Sequence, residues 1–166
     1  MINLFWDLDG VLRNLTAAIS KHIGCEFKPM LWDDQVLSGI GICQYIDLYP
    51  ELLVTSPETE FCEEARYEKD MVILTYQPFN WISYTKEWIK NHFPNSTVKF
   101  CQHPDEKLSI IKNKNILLIE DYPYFSDNSQ IIIIDHLYNW HVKDCYARVK
   151  SVEELQKLIY NKGNND

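Results

Sequence analysis

The sequence lacks the usual marks of a secreted, membrane-bound or nucleic-acid-binding protein. Its five cysteines are an odd number without a Cys-x-x-Cys pair, which disfavours a disulfide framework or a zinc site and favours reduced thiols in a cytoplasm. Sixteen basic against twenty-four acidic residues leave a net charge of −8, so long nucleic acids and anionic membranes are poor partners. The apolar runs are too short to span a bilayer, and the N-terminus lacks the basic flank of a signal peptide. We therefore expect a cytoplasmic protein, and the sequence leaves its oligomeric state open.

Several short motifs that mark enzyme classes are also missing. The sequence contains no Gly-x-Ser-x-Gly elbow, no P-loop and no Gly-x-Gly-x-x-Gly run. The histidines show no metal-binding spacing beyond His136 and His141, for which we expect loop or surface positions. Ser/His/Asp hydrolysis therefore has no anchor in this chain.

The hydrophobic pattern predicts an α/β fold. Apolar runs at 2–6, 71–74, 116–119 and 131–134, with a weaker one at 97–100, are typical of buried strands in a parallel sheet. Helical patterns separate them. The first is a helix capped by Asn80 that ends near His92, and the second is opened by Pro104. The third follows Ser151 and stops near Gly163, and we expect the tail at 164–166 to fray. This alternation predicts a doubly wound, Rossmann-like parallel sheet with right-handed crossovers.

Residues 14–69 interrupt the alternation, because they contain no convincing buried strand. A helix is predicted from 15 to 23, stopping at Gly24, and another from 57 to 67. We interpret 14–69 as a small, mostly helical insertion placed just after the first strand. Residues 1–13 and 70–166 then form the α/β core.

Two acidic pairs follow predicted strands. The first strand runs directly into Asp7-Leu8-Asp9-Gly10-Val11, and Glu120-Asp121 ends the strand at 116–119. In an open α/β sheet, ligands bind at the carboxyl ends of strands. Two close carboxylates repel each other unless a cation lies between them or one takes a proton, and hard oxygen ligands suit Mg²⁺. Each pair alone is also compatible with a solvated turn, but together they predict a shared metal site.

Weaker signals for an anion site accompany the acidic pairs. Thr75 ends the strand at 71–74, and its hydroxyl with the backbone N–H groups that follow, beginning at Tyr76, is suited to holding a phosphate oxygen. Lys107 lies in the first turn of a predicted helix, where a cation opposes the helix dipole. It either points inward at an anion or extends to solvent. Lys112 and Lys114 compete for the same role.

The order of these elements along nearly the whole chain resembles the haloacid dehalogenase superfamily of phosphatases. The resemblance implies that Asp7 is the nucleophile that forms an aspartyl-phosphate. Asp9 would be the general acid for the leaving group and then the base for water. Thr75 and Lys107 would hold the phosphoryl oxygens.

The same resemblance implies a set of Mg²⁺ ligands. These would be Asp7, the backbone carbonyl of Asp9 and Asp121, with Glu120 beside them. The chemistry agrees, because a carboxylate attacks a phosphate dianion only if a cation and hydrogen-bond donors offset the repulsion.

Within this superfamily the chain looks most similar to the 5'(3')-deoxyribonucleotidases. The shared features are a short N-terminal cap, an acidic pair followed by x-Pro (here Glu120-Asp121-Tyr122-Pro123) and a late Tyr-Asn element (here Tyr138-Asn139). Two positions depart from the pattern, since Glu120 stands where the family usually has Asp and Tyr122 where it often has Arg.

In that family the cap recognises the leaving group. The cap aromatics Phe27, Trp32 and Tyr45 would then either stack on a nucleobase or form the core of the cap.

We therefore expect a Mg²⁺-dependent phosphomonoesterase acting on a small phosphorylated substrate, with a (deoxy)nucleoside monophosphate favoured. One alternative keeps the chemistry and changes the substrate to a sugar phosphate or the terminal phosphate of a nucleic acid. Another is a non-catalytic phosphate-binding protein that keeps the fold.

Overall fold

A six-stranded sheet forms the centre of the computed structural model, which describes residues 2–112 and 114–160. The elements in chain order are β1 (Asn3–Trp6), α1 (Leu15–Ile23), β2 (Gln35–Leu37), β3 (Ile40–Gly41), α2 (Ile42–Leu48), α3 (Leu52–Thr55), α4 (Cys62–Arg66), β4 (Val72–Tyr76), α5 (Ile82–His92), β5 (Thr97–Cys101), α6 (Glu106–Ile111), β6 (Ile116–Glu120), β7 (Asn128–Ile134), β8 (Cys145–Val149) and α7 (Val152–Tyr160). Short 3₁₀ helices occupy Phe79–Trp81 and Leu137–Asn139.

The strand order is that of a doubly wound sheet. The strands lie in the order β5-β4-β1-β6-β7-β8, and every neighbouring pair is parallel. Numbering only the strands of this sheet gives the order 3-2-1-4-5-6, in which the direction of strand addition reverses between β1 and β6. The predicted parallel α/β sheet is confirmed, and this reversal point is where such sheets bind ligands.

Helices cover both faces of the sheet. Because successive side chains of a strand point to opposite faces, Trp6 of β1 joins one hydrophobic cluster and its neighbour Phe5 joins another. Trp88 of α5 and Leu155 of α7 pack into the first cluster, and Ile111 of α6 packs into the second. The strands buried on both faces are those whose sequences read as uninterrupted apolar runs.

The sequence analysis missed the strand β8. Its residues are mostly half-buried, because β8 lies at the edge of the sheet and, within the described residues, pairs with β7 alone. It therefore carries no uninterrupted apolar run. Arg148, the fourth residue of this strand, donates hydrogen bonds to Asp135 and Asn139 on the neighbouring loop instead of packing in the core.

The predicted helix at 57–67 is wrong in its first half. Asn14 donates a backbone hydrogen bond to the carbonyl of Pro57, and Thr59 donates one to the carbonyl of Leu12. These bonds hold the chain extended against the loop that follows β1, so the helix α4 begins only at Cys62. By contrast, α1 has the predicted bounds, and Gly24 ends it in the left-handed conformation at φ 74°.

Other predicted helix starts are shifted. Asn80 does not cap α5, because its side chain donates to Asp47 and the 3₁₀ turn Phe79–Trp81 precedes the helix. The helix α6 begins at Glu106, two residues after Pro104. Ser151 accepts a hydrogen bond from the backbone N–H of Glu154 at the start of α7, and the carboxylate of Glu154 accepts one from the backbone N–H of Lys150. The predicted stop at Gly163 and the tail at 164–166 lie outside the described residues.

The segment 14–69 contains α1 to α4 and a short antiparallel pair, β2 and β3. It forms a further hydrophobic cluster, in which Ile19, Ile46 and Leu53 pack with Trp81, which follows β4 in the chain. Its last part, including Phe61, packs instead into the cluster on the sheet. Within 2–112 and 114–160, no helix has the length and apolarity that crossing a membrane requires.

Candidate active site

Three carboxylates from two neighbouring strand ends meet at the reversal point of the sheet. Asp7 follows β1, Glu120 ends β6, and Asp121 comes next. One oxygen from each of them lies within 4.8 Å of the others. The side chains are buried, because Asp7 is 5% exposed, Glu120 0% and Asp121 1%. The register explains the convergence. Trp6 pairs with Ile119, so the acidic residues that follow them, Asp7 and Glu120, lie side by side.

Lys107 reaches this cluster from the first turn of α6. Its Nζ donates to Oδ1 of Asp7 at 2.6 Å and to Oε2 of Glu120 at 2.6 Å. The side chain is buried and points inward, whereas Lys112 and Lys114 are exposed. The structure therefore places Lys107, and neither competitor, between two of the predicted site acids.

The buried carboxylates outnumber the positive charge that Lys107 supplies. Burial first, and then the charge of Glu120, raises the pKa of Asp7 well above its usual range. Burial and the charge of Asp7 raise the pKa of Asp121 to about 8. Burial by itself would lower the pKa of the Lys107 ammonium group. The carboxylates of Asp7 and Glu120 outweigh burial and raise that pKa. When all three acids are ionised, the cluster has an excess of two negative charges, which a divalent cation would balance.

The contacts of Asp121 fit a cation ligand. Its Oδ2 accepts a hydrogen bond from the hydroxyl of Tyr138, and its backbone carbonyl accepts one from Nδ2 of Asn139 at 2.9 Å. Its Oδ1 is buried and has no hydrogen-bond partner among the residues that the structure describes. A buried carboxylate oxygen without a partner is costly, and hard oxygen donors suit Mg²⁺. The residues present therefore fit a divalent cation.

Gly10 brings the loop after β1 against Asp121. Its φ is +80°, and a Cβ built on it would lie 1.7 Å from Oδ2 of Asp121. Only glycine fits here, because both the backbone conformation and the space exclude a side chain. The Asp-x-Asp-Gly loop and the Glu120-Asp121 pair are thus in direct contact.

The side chain of Asp9 has a different set of partners. Its carboxylate accepts hydrogen bonds from Nε of Arg13 at 2.6 Å, from Nη2 of Arg13 at 2.9 Å and from Nε2 of Gln77 at 2.6 Å. Gln77 also donates to the hydroxyl of Thr75 at 3.0 Å. Asp9 and Thr75, predicted from separate strand ends, are therefore linked by one amide. Thr75 is 1% exposed, and Tyr76 next to it is 39% exposed.

A cleft of about 300 Å³ opens beside these groups. Its polar side includes Asp7, Asp9, Lys107 and Glu120, and its aromatic side includes Trp32, Tyr76, Trp81 and Tyr122. The cleft therefore combines a charged end with apolar, ring-lined walls, which is the usual composition of a small-molecule site.

Of the three predicted cap aromatics, the structure brings Trp32 to this cleft. The Trp32 ring packs edge-on against Tyr122 at 5.2 Å and against Tyr138 at 5.3 Å. Tyr45 is 3% exposed, packs in the cluster of the segment 14–69 and contacts His22 through its hydroxyl at 2.7 Å. Phe27 packs against the same cluster and borders a separate depression. Tyr45 and Phe27 thus lie away from the cleft, because they are used to bury apolar surface within the segment.

Sequence reasoning did not identify Arg13, Gln77 and Thr85 as site residues. Arg13 and Thr85 are 0% exposed and Gln77 is 4% exposed, and all three are connected to Asp9 directly or through one another. The available signal was a basic residue four positions after Asp9, which by itself is equally typical of a solvated turn.

No model of a known protein family matches the chain, and no curated protein matches it either. The functional interpretation therefore rests on the geometry of the site.

Proposed function

We propose that the protein is a Mg²⁺-dependent phosphomonoesterase that forms an aspartyl-phosphate on Asp7, as in the haloacid dehalogenase superfamily. The observation that carries this proposal is the convergence of Asp7, Glu120, Asp121 and Lys107 at the reversal point of a parallel sheet. These residues come from distant parts of the chain, and each lies at the carboxyl end of a strand or the start of a helix.

The reaction has two displacements at phosphorus. In the first, a carboxylate oxygen of Asp7 forms a bond to phosphorus, the ester P–O bond breaks, and Asp9, which begins the cycle protonated, transfers that proton to the leaving oxygen. In the second, water attacks the aspartyl-phosphate and gives a proton to Asp9, and the bond to Asp7 breaks to release inorganic phosphate. Lys107, the hydroxyl of Thr75 and the backbone N–H of Tyr76 hold the phosphoryl oxygens.

The acidic cluster needs a cation for this chemistry. Bound by Asp7, Asp121 and the backbone carbonyl of Asp9, Mg²⁺ supplies positive charge that offsets the repulsion between a carboxylate and a phosphate dianion. Two observations support this ligand set: the Oδ1 of Asp121, which no described residue hydrogen-bonds, and the excess negative charge around Lys107. Glu120 keeps Lys107 in place beside the ligands.

The cleft favours a nucleoside monophosphate as the substrate. A nucleobase stacks well on aromatic rings, and Trp32, Tyr76 and Tyr122 line the cleft beside the nucleophile. A long polyanion is disfavoured by the net charge of −8 and by the carboxylates in the cleft. This supports activity like that of the 5'(3')-deoxyribonucleotidases, with a small substrate of one phosphate group.

The test is phosphate release by the purified protein from dUMP, dTMP, 3'-nucleotides and sugar phosphates. We expect Mg²⁺-dependent release that EDTA abolishes, with the nucleotides preferred. Asp7→Asn should lower turnover at least about a thousandfold because it removes the nucleophile. The matched control is Asp127→Asn, since Asp127 is exposed and outside the cleft.

Two results would count against the proposal. Hydrolysis of 4-nitrophenyl phosphate by Asp7→Asn at the wild-type rate would contradict the mechanism. Binding of phosphate without Mg²⁺-dependent hydrolysis of any substrate would favour the non-catalytic alternative. Preference for sugar phosphates would keep the chemistry and change the substrate.

A further inference from the structure

Arg13 is an arginine with no exposed surface, four residues after Asp9. Its Nε and Nη2 each donate to a different oxygen of the Asp9 carboxylate, at 2.6 and 2.9 Å. Such two-point pairing fixes the plane of a carboxylate as well as its position. Burying a guanidinium group is costly unless its N–H groups find acceptors, so these contacts define where the side chain can lie.

The remaining contacts of Arg13 reach two other parts of the fold. Its Nη1 donates to the backbone carbonyl of Leu53 in α3 at 3.0 Å and to the hydroxyl of Thr85 in α5 at 3.2 Å. Its Nη2 also donates to Oε1 of Gln77 at 3.3 Å. Arg13 thus connects the loop after β1 to the segment 14–69 and to a core helix.

Gln77 holds Asp9 from a second direction. Its Nε2 donates to Oδ2 of Asp9 at 2.6 Å and to the hydroxyl of Thr75 at 3.0 Å. The hydroxyl of Thr85 donates to Oε1 of Gln77 at 3.0 Å, which fixes the orientation of the amide. The Thr85 hydroxyl therefore supports both residues that hold Asp9.

We propose that Arg13 and Gln77 are positioning residues for Asp9, and that Thr85 holds both of them in place. The inference rests on the proposed function, in which Asp9 transfers a proton to the leaving oxygen. Proton transfer requires the donor to lie within hydrogen-bond reach of that oxygen, so a displaced carboxylate slows the step without weakening substrate binding. The amide of Gln77 also donates to the hydroxyl of Thr75, so it sets the position of Asp9 relative to the phosphoryl group.

The test compares Thr85→Val with Thr85→Ser. Valine keeps the shape of threonine and removes the hydroxyl, whereas serine keeps it. The substrates are dUMP, whose leaving alkoxide needs a proton, and 4-nitrophenyl phosphate, whose leaving group departs without one. We expect Thr85→Val to lower kcat/KM about tenfold on dUMP and less than about twofold on 4-nitrophenyl phosphate, because kcat/KM reports phosphoryl transfer to Asp7, in which only dUMP needs the proton of Asp9. Thr85→Ser should restore the wild-type ratio of the two rates.

Gln77→Leu provides a second variant that acts on Asp9 directly. It should show the same dependence on the leaving group, with a larger loss on dUMP than Thr85→Val. Asp9→Asn should show the largest difference between the two substrates. Equal losses of kcat/KM on both substrates would overturn the positioning role and leave the proposed function standing. A wild-type protein that hydrolyses neither substrate would overturn the proposed function and the inference with it.

Discussion

Single residues determine how the acidic cluster can bind a cation, and Asp121 shows this most clearly. One of its oxygens is held by the hydroxyl of Tyr138 and lies against Gly10, while the other has no hydrogen-bond partner among the described residues. Asn139 fixes the backbone of the same residue. A carboxylate held on one side and open on the other is oriented for a ligand, because its position is set before the cation arrives.

The packing of Gly10 on Asp121 predicts different effects of alanine at two glycines with similar backbones. Gly10 and Gly24 have φ angles of +80° and +74°, but in the described part of the chain no atom lies within 4 Å of a Cβ at Gly24. Gly24→Ala should therefore cost only the strain of the left-handed conformation, about 1–2 kcal/mol. Gly10→Ala should cost more and should also weaken Mg²⁺ binding, because Asp121 must move. Chemical denaturation and calorimetric titration with Mg²⁺ measure the two effects, and equal losses for both variants would contradict this contact.

At the scale of elements, an ionic cluster joins α4 and α5 to the extended stretch before α4. Glu58 of that stretch accepts hydrogen bonds from Arg66 of α4 and from Nδ1 of His92 of α5, the latter at 2.6 Å. Burial alone would raise the pKa of Glu58, but the bonds from His92 and Arg66 lower it from its usual value. Glu58 therefore links the end of the segment 14–69 to a helix that packs on the sheet.

This lowered pKa predicts a pH-dependent contribution to stability. The folded protein binds the Glu58 proton less tightly than the unfolded chain, so the contribution is full above about pH 5 and is lost as the pH falls below about 4. Glu58→Gln should lower the free energy of unfolding by about 0.5–1 kcal/mol at pH 7 and by less at pH 3.5. Urea unfolding at both pH values measures this. Glu60→Gln, at an exposed neighbour, should show no such trend.

Across the complete fold, the central sheet holds repelling charges together. Adjacent parallel strands lie about 4.8 Å apart, so the acids that follow β1 and β6 are brought close by the backbone pairing itself. The backbone N–H of Asp7 donates to the carbonyl of Ile119 at 2.9 Å, which continues this pairing into the site. Folding energy from the buried strands therefore offsets the cost of the acidic cluster.

A ligand that binds only the folded cluster should stabilise the whole protein. At 100 times its dissociation constant, Mg²⁺ should add about 2.7 kcal/mol to the free energy of unfolding. For a chain of this size that corresponds to a rise in Tm of about 5–10 °C. Asp121→Asn should remove the rise, and Asp127→Asn should retain it. Thermal unfolding monitored by circular dichroism, with NaCl at matched ionic strength, makes the comparison. An equal rise in wild type and Asp121→Asn would place the bound Mg²⁺ elsewhere.

The pattern of apolar and polar residues is sufficient to predict the α/β class and the strands at the centre of the sheet. Strands β1, β4, β6 and β7 are buried on both faces, so each reads as an apolar run whose end can be recognised locally. The acidic pairs at the ends of β1 and β6 were visible for the same reason. The edge strand β8 was not, because an edge position needs no continuous apolar run.

Which side chains share the site depends on contacts between residues that are distant in the chain. The inward direction of Lys107 depends on acids 100 and 13 residues away along the chain. The contacts of Arg13 with Gln77 and Thr85 join residues 64 and 72 positions apart. The burial of Tyr45 depends on how the segment 14–69 packs. Local sequence patterns determine where a strand ends, but contacts between distant residues determine what each strand end faces, since they form only when the sheet and its helices have packed.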